Sequence, residues 1–207
     1  LIYRDKDMVQ AVLDDKIHGV VRGSLPASNI MKELKAVYPN ITRATYVNGD
    51  EYEFLLTPVG IDEGETVEDR LDIVKNCIDF LKRLGKTPKI AVLAEGRKDD
   101  FGRGPEVSQS ITDSEKLTEL IKENTDEEVE NYYILVEKAI KDGCNVIVAP
   151  NGRVGNIIFR TLVLLNSWPS YGAITFGMDK IYIDTSRDQS IEGYVRSLTL
   201  ADELDNF

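Results

Sequence analysis

Apolar residues recur along this chain in two rhythms, and the way the rhythms alternate sets the fold class. The helical rhythm is clearest in "TVEDRLDIVKNCIDFLKRLG" (66–85). Val67, Leu71, Ile73, Val74, Cys77, Ile78, Phe80 and Leu81 form its apolar set, Thr66 opens it and Gly85 closes it. Helical patterns also cover 5–15, "SLPASNIMKELKAV" (24–37) with Pro26 in the first turn, and the sequence from about 106. They recur as separate helices in "TDSEKLTELIKEN" (112–124), "EEVENYYILVEKAIKDG" (127–143, stopped by Gly143) and "SIEGYVRSLTLADEL" (190–204, capped by Ser190). "VGNIIFRTLVLL" (154–165) is apolar almost all round, which predicts a central helix.

Between these lie short strand-like runs. "KIAVLA" (89–94) and "NVIVAP" (145–150) are continuously apolar, as strands buried on both faces of a parallel sheet are. "HGVVR" (18–22), "GAITFG" (172–177) and "KIYID" (180–184) read as further strands. "ITRATYV" and "EYEFLLTPV" flank Asn48-Gly49, a two-residue hairpin signal because both residues tolerate positive φ. Strands alternating with helices predict an α/β fold with a mostly parallel sheet and one β-hairpin. The expected organisation is one α/β unit over 1–207, with a smaller hairpin-containing subdomain near 25–85.

Composition narrows the function. With 207 residues the chain is long enough for a substantial core, and its formal net charge of −11 argues against nucleic-acid binding and against a basic membrane surface. No apolar run approaches the roughly 20 residues that span a bilayer. The chain opens on Leu rather than Met, so no targeting signal is read from its start. Cys77 and Cys144 are isolated from each other and read as packed thiols of a reduced, cytoplasmic protein. His18 is the sole histidine, which leaves little room for a histidine-built zinc site or a Ser-His-Asp triad. No resident metal or covalently bound cofactor is expected.

The candidate chemistry sits where ligands of open α/β sheets bind, beyond the carboxyl ends of the strands. The loops there carry Arg22-Gly23-Ser24, Arg103-Gly104, Arg153 with Gly155-Asn156, and Thr185-Ser186-Arg187. Glycine lets backbone N–H groups approach a ligand, arginine offers a donor fork matched to phosphate, and helix N-termini favour anions. Four such loops on one side of one sheet predict a phosphate or carboxylate site. Each arginine taken alone reads as a surface or ion-paired residue, and Gly155 alone as a tight turn; the joint pattern is what points to the anion. "LGKT" (84–87) is no phosphate loop, because the earlier glycine that motif needs is Phe80. "DEGE" (62–65) reads as a solvated loop whose acids suit the following helix. No GxGxxG occurs.

In these motifs the chain resembles the phosphate acetyl/butyryltransferases. "HGVVRGSLPASNIMKEL", "GIDEGETVEDRLDIVKNCIDFLKRLGKTPKIAVLAEG", "GRGPEVSQSI", "PNGRVGNIIFRTL" and "DTSRDQSIEGYV" match that family's segments in order over about residues 17–197. The nearer likeness is to a methanogen-specific branch, methanogenesis marker protein 4 or MtxX, which carries the label of a methyltransferase subunit. The resemblance implies an isocitrate/isopropylmalate dehydrogenase-like (phosphotransacetylase-like) α/β fold, a homodimer, and a small anionic ligand such as coenzyme A or another anionic coenzyme as substrate. It implies that Ser186 and Arg187 fall on the family's active-site pair, Gly155-Asn156 on its Gly-Asn turn, and Arg103-Gly104 on its phosphate-side loop. The family's aspartate, proposed as the base for the thiol, falls at Gly193 here; Glu192 stands one residue earlier, about 100° away around a helix. Three functions therefore stand open: an acyl-phosphate-class enzyme using Glu192, a binding protein for an anionic coenzyme, and a methyltransferase or its accessory subunit.

Overall fold

Eight strands form one continuous sheet in the order β1-β8-β7-β2-β3-β6-β4-β5. In this computed structural model, which describes residues 2, 4–14 and 17–206, the strands are β1 (Gly19–Arg22), β2 (Thr42–Asn48), β3 (Glu53–Thr57), β4 (Lys89–Leu93), β5 (Glu128–Tyr133), β6 (Val146–Val148), β7 (Ser170–Phe176) and β8 (Ile181–Asp184). The helices are α1 (Asp5–Leu13), α2 (Ala27–Val37), α3 (Val67–Arg83), α4 (Pro105–Asn124), α5 (Val136–Lys141), α6 (Gly152–Phe159) and α7 (Ile191–Asp205). Asp15, in the predicted first helix, lies outside the described residues. No described helix is long and apolar enough to cross a membrane.

Four of the seven neighbouring strand pairs are parallel. The three antiparallel pairs are consecutive: β8 with β7, β7 with β2, and β2 with β3. Following these directions across the sheet, β1, β8 and β2 run one way and β7, β3, β6, β4 and β5 the other. β1 and β8 therefore run against β4 and β6, yet the register sets Arg22 and Asp184, their last residues, level with Ala173, Thr45, Leu56, Ile147 and Ala91. The carboxyl ends of both strand sets thus meet in one band of the sheet, and the four arginine-bearing loops leave that band in two opposite directions.

Side-chain alternation sends each strand's residues to two faces. On one face α3, α4 and α7 cover a core that includes Ala44, Leu55, Val92, Val146, Ile174 and Ile183. The other face has two separate clusters. One gathers α1 and α2 over Tyr182; the other gathers α5 and α6 over Val47, Leu56, Ala91 and Ile147. Between these clusters the strands direct Arg22, Arg43 and Asp184 onto this face, and all three are buried.

Several local readings hold for the reasons given. α3 opens on a reciprocal capping box, with Thr66 accepting from the Asp69 N–H and Asp69 accepting from the Thr66 N–H, and Gly85 past its end has φ +71°. Thr66→Ala should lower the unfolding free energy by about 1 kcal/mol, read as a shifted urea midpoint at constant slope. An unchanged midpoint would show that the cap adds nothing to the packed helix.

Other readings are corrected. The segment predicted as one helix over 127–143 is the edge strand β5 followed by the short α5. Exposed Glu128 and Glu130 alternate with less accessible Val129 and Asn131, a two-residue period that the apolar run 132–136 obscures. Residues 105–124 form a single helix, because Ser108, Thr112 and Thr118 return their hydroxyls to carbonyls four residues back instead of breaking it. The hairpin turn is wider than two residues: Asn48 still pairs with Glu53, the Gly49 N–H closes on the Tyr52 carbonyl at 2.8 Å, and neither Asn48 nor Gly49 takes positive φ. The apolar helix is peripheral: α6 passes into a π-helical turn over Arg160–Leu165, with Ile157 and Leu165 exposed.

Candidate functional site

A buried chain of alternating charges organises the band between the two clusters. Arg22 at the end of β1 pairs with Asp184 at the end of β8. Asp184 also accepts from Arg43 of β2 at 2.6 Å, and Arg43 donates to Glu63 at 2.7 Å. Glu63, in the loop after β3, accepts the Gly60 N–H at 3.2 Å. All four charged residues are at most 8% exposed. Burial by itself lowers the pKa of Arg43, but Glu63 and Asp184 more than offset it, so the guanidinium is held charged above its ordinary range. Two cations face two carboxylates, so the chain is internally neutral.

This chain welds two loops together. The Arg22 guanidinium also donates to the carbonyls of Gly23, Leu25 and Thr185, and the Thr185 hydroxyl donates to the Arg22 carbonyl. The segment after β1, with Gly23 and Ser24, thus lies against the segment after β8, with Thr185, Ser186 and Arg187. The Tyr194 ring closes this pair of loops from α7: its hydroxyl donates to the Ser186 carbonyl at 3.3 Å, and its Cε1 is 3.9 Å from where a Cβ at Gly23 would stand. Ser186 Oγ accepts the Asp188 N–H at 3.2 Å.

The predicted arginines separate by their partners. Arg22 spends its donors on Asp184 and on backbone. Arg103 is exposed and pairs with Asp100 at 2.8 Å, next to Gly104 and after β4, five places along the strand order from β8. Arg153 is exposed and pairs with Glu65 at 3.1 Å. Arg187 is exposed and has no ion-pair partner among the described residues. Asn156 donates to the Val59 carbonyl at 3.0 Å, tying α6 to the loop after β3. One turn further on, Arg160 lies 3.6 Å from Asp188, which links that helix to the loop after β8. The structure therefore brings Arg22, Gly23, Ser24, Ser186 and Arg187 together. Arg153, Gly155 and Asn156 stand on the helix that borders them, and Arg103 and Gly104 stand apart.

Glu192 is exposed in the first turn of α7. Its own backbone N–H, the Ser190 hydroxyl and the nearby Arg196 hold its carboxyl below the ordinary range, which makes it a weak base. Gly193 is buried, with the Gln189 side chain packed over it.

The residues that sequence reasoning missed are Arg43, Glu63, Asp184 and Gln189. Glu63 is no solvated loop acid: it is 7% exposed and ion-paired, whereas its neighbour Asp62 meets Lys35 at the surface. A signal existed in "ITRATYV", where an arginine stands at an inward position of an otherwise apolar strand. No group of three or more His, Cys, Asp or Glu side chains suited to a metal occurs among the described residues.

Comparison with known proteins gives three findings. No protein-family model matches the chain. The chain is 37% identical over 209 residues to an uncharacterized methyltransferase of Methanocaldococcus jannaschii, covering 96% of this chain and 84% of that protein. It is 36% identical over 186 residues to a Methanosarcina barkeri protein that carries the provisional name methyltransferase mtx subunit X, covering 88% of this chain and 68% of that protein. Among solved structures it is similar to a branched-chain phosphotransacylase from Enterococcus faecalis, with TM-score 0.74, 22% identity, and coverage of 96% of this chain and 77% of that one. It is also similar to a phosphotransacetylase from Streptococcus pyogenes (TM-score 0.69, 21% identity, covering 93% and 64%). A 4-hydroxythreonine-4-phosphate dehydrogenase from Klebsiella pneumoniae shares the fold at TM-score 0.65, with 16% identity and coverage of 97% and 69%. At these identities the structural likeness speaks for the fold, phosphotransacetylase-like and dehydrogenase-like.

Proposed function

The chain belongs to the methanogen family named for methyltransferase mtx subunit X, and from that premise we propose that it is a phosphate acyltransferase-like protein that holds a small anionic ligand between the loops after β1 and β8. The ligand class is a phosphate ester or an anionic coenzyme such as coenzyme A. The observation that carries this reading is the state of Arg187. Among the predicted site residues Arg22, Arg103, Arg153 and Arg187, only Arg187 has no ion-pair partner among the described residues, and it adjoins Thr185, Ser186 and the glycine-bearing loop at Gly23. An unpaired guanidinium beside hydroxyls and accessible backbone is suited to phosphate oxygens.

The reading favours binding over thiol activation. Generating a thiolate needs a base poised near neutral pH, and Glu192 is instead exposed with a lowered pKa. Calorimetric titration with inorganic phosphate and with coenzyme A tests the proposal. Arg187→Gln should weaken binding about tenfold, the loss of one charge-assisted contact, and Arg103→Gln should leave it unchanged. Equal losses in the two variants would place the ligand elsewhere, and no binding of either probe would end the reading.

A second reading, methyl transfer or service to a methyltransferase, follows from the names of the relatives. Titration with a methyl donor tests it directly. Saturable heat with the donor and none with phosphate or coenzyme A would favour it over the first.

A further inference from the structure

One donor in the β8–α7 loop lacks a partner. Gln189 follows a turn in which its own N–H bonds the Ser186 carbonyl at 3.1 Å. Its side-chain Oε1 accepts the Ser190 N–H at 3.3 Å, while Nε2 is buried and bonded to nothing. A buried donor without an acceptor is costly, and native structures seldom leave one unless function asks for it.

The side chain reaches this position because Gly193 makes room. A Cβ at Gly193 would stand 2.6 Å from both Cγ and Nε2 of Gln189 and would overlap its Cδ. These are the far atoms of a flexible side chain, so they are displaceable where backbone would not be. The amide therefore lies over the first turn of α7, on a residue three positions after Ser186 and two after Arg187.

We infer that Gln189 is a hinged donor: parked over Gly193 in the free chain, it swings out to give Nε2 to an acceptor oxygen of the anion that Arg187 holds. This inference rests on the anion-site reading above. A neutral amide can meet a phosphate, carboxylate or carbonyl oxygen without the repulsion that a carboxylate at this place would bring. Parking reduces affinity by the fraction of chains whose donor is out, so filling the bay should raise it.

The test is titration of the full chain with inorganic phosphate and, separately, with coenzyme A. Gly193→Ala fills the bay and should bind about threefold to tenfold tighter. Gln189→Ala should bind about fivefold weaker, and the double variant should gain nothing from the added methyl. Gln189→Leu gives a second readout, because it occupies the bay without the orphaned donor. It should raise the melting temperature of the free chain by about 2–4 °C while weakening binding. Wild-type binding with unchanged or weaker binding by Gly193→Ala, or a lower melting temperature for Gln189→Leu, overturns the hinge and leaves the anion site standing. Absence of wild-type binding to both probes overturns the anion site and the hinge with it.

Discussion

Asp184→Ala is expected to lower the unfolding free energy by about 3–5 kcal/mol, the cost of stranding buried charge. Asp184 stands between Arg22 and Arg43, and both guanidiniums are almost wholly removed from water. Removing the carboxylate leaves Arg22 buried without its acid and Arg43 with Glu63 alone. In a chain of this size that loss corresponds to a fall in melting temperature of about 6–20 °C, which a calorimetric scan resolves easily. Alanine at Glu119, whose ion pair with Lys122 is exposed on both sides, should change stability by about 0.5 kcal/mol or less. Similar small losses in both variants would mean that water reaches the Arg22–Asp184–Arg43–Glu63 chain. The same substitution should also loosen the contact between Gly23 and Thr185–Arg187, because Arg22 bridges those segments only while its orientation is fixed by Asp184. Anion binding should therefore fall together with stability.

What the sequence made legible, and what it hid, divides by range. Thr66, Gly85, Gly143 and Ser190 act within one or two turns of themselves, and they end or begin helices where local chemistry predicts. The continuous apolar runs at 89–94 and 145–150 are β4 and β6, each flanked by parallel neighbours. The direction of β7 was not legible, because nothing in "GAITFG" records whether its partners run with it or against it. The antiparallel pairs that β7 and β2 make set β1 and β8 against β4 and β6, and the register then brings the carboxyl ends of both sets into one band. The ion chain was hidden for a related reason: Arg43 meets Glu63 across 20 positions and Asp184 across 141, and pattern reading has no means of joining such partners. Arg22 was read correctly as a donor-rich residue, but a fork that suits phosphate equally suits carboxylate and carbonyl groups, and here the protein supplies them itself.

The glycines of "NGRVGN" carry the second large effect, through contact rather than ligand approach. A Cβ at Gly152 would overlap the carbonyl oxygen of Gly60, and one at Gly155 would overlap that of Pro58. These are backbone atoms, so no side-chain rotation relieves the clash, and α6 must lift away from the loop after β3. Gly152→Ala is therefore expected to cost about 3 kcal/mol, at the upper end of overpacking penalties. It should also displace Asn156 and Arg160, the two groups that tie α6 to Val59 and Asp188. Gly104 makes the contrast, because the nearest atom to a Cβ there is Glu106 Oε2 at 4.0 Å and its φ of −176° suits any residue. Gly104→Ala should leave the urea midpoint unchanged. If Gly152→Ala proved equally silent, α6 would not be clamped to the 58–60 loop, and its link to the loop after β8 through Arg160 and Asp188 would be movable.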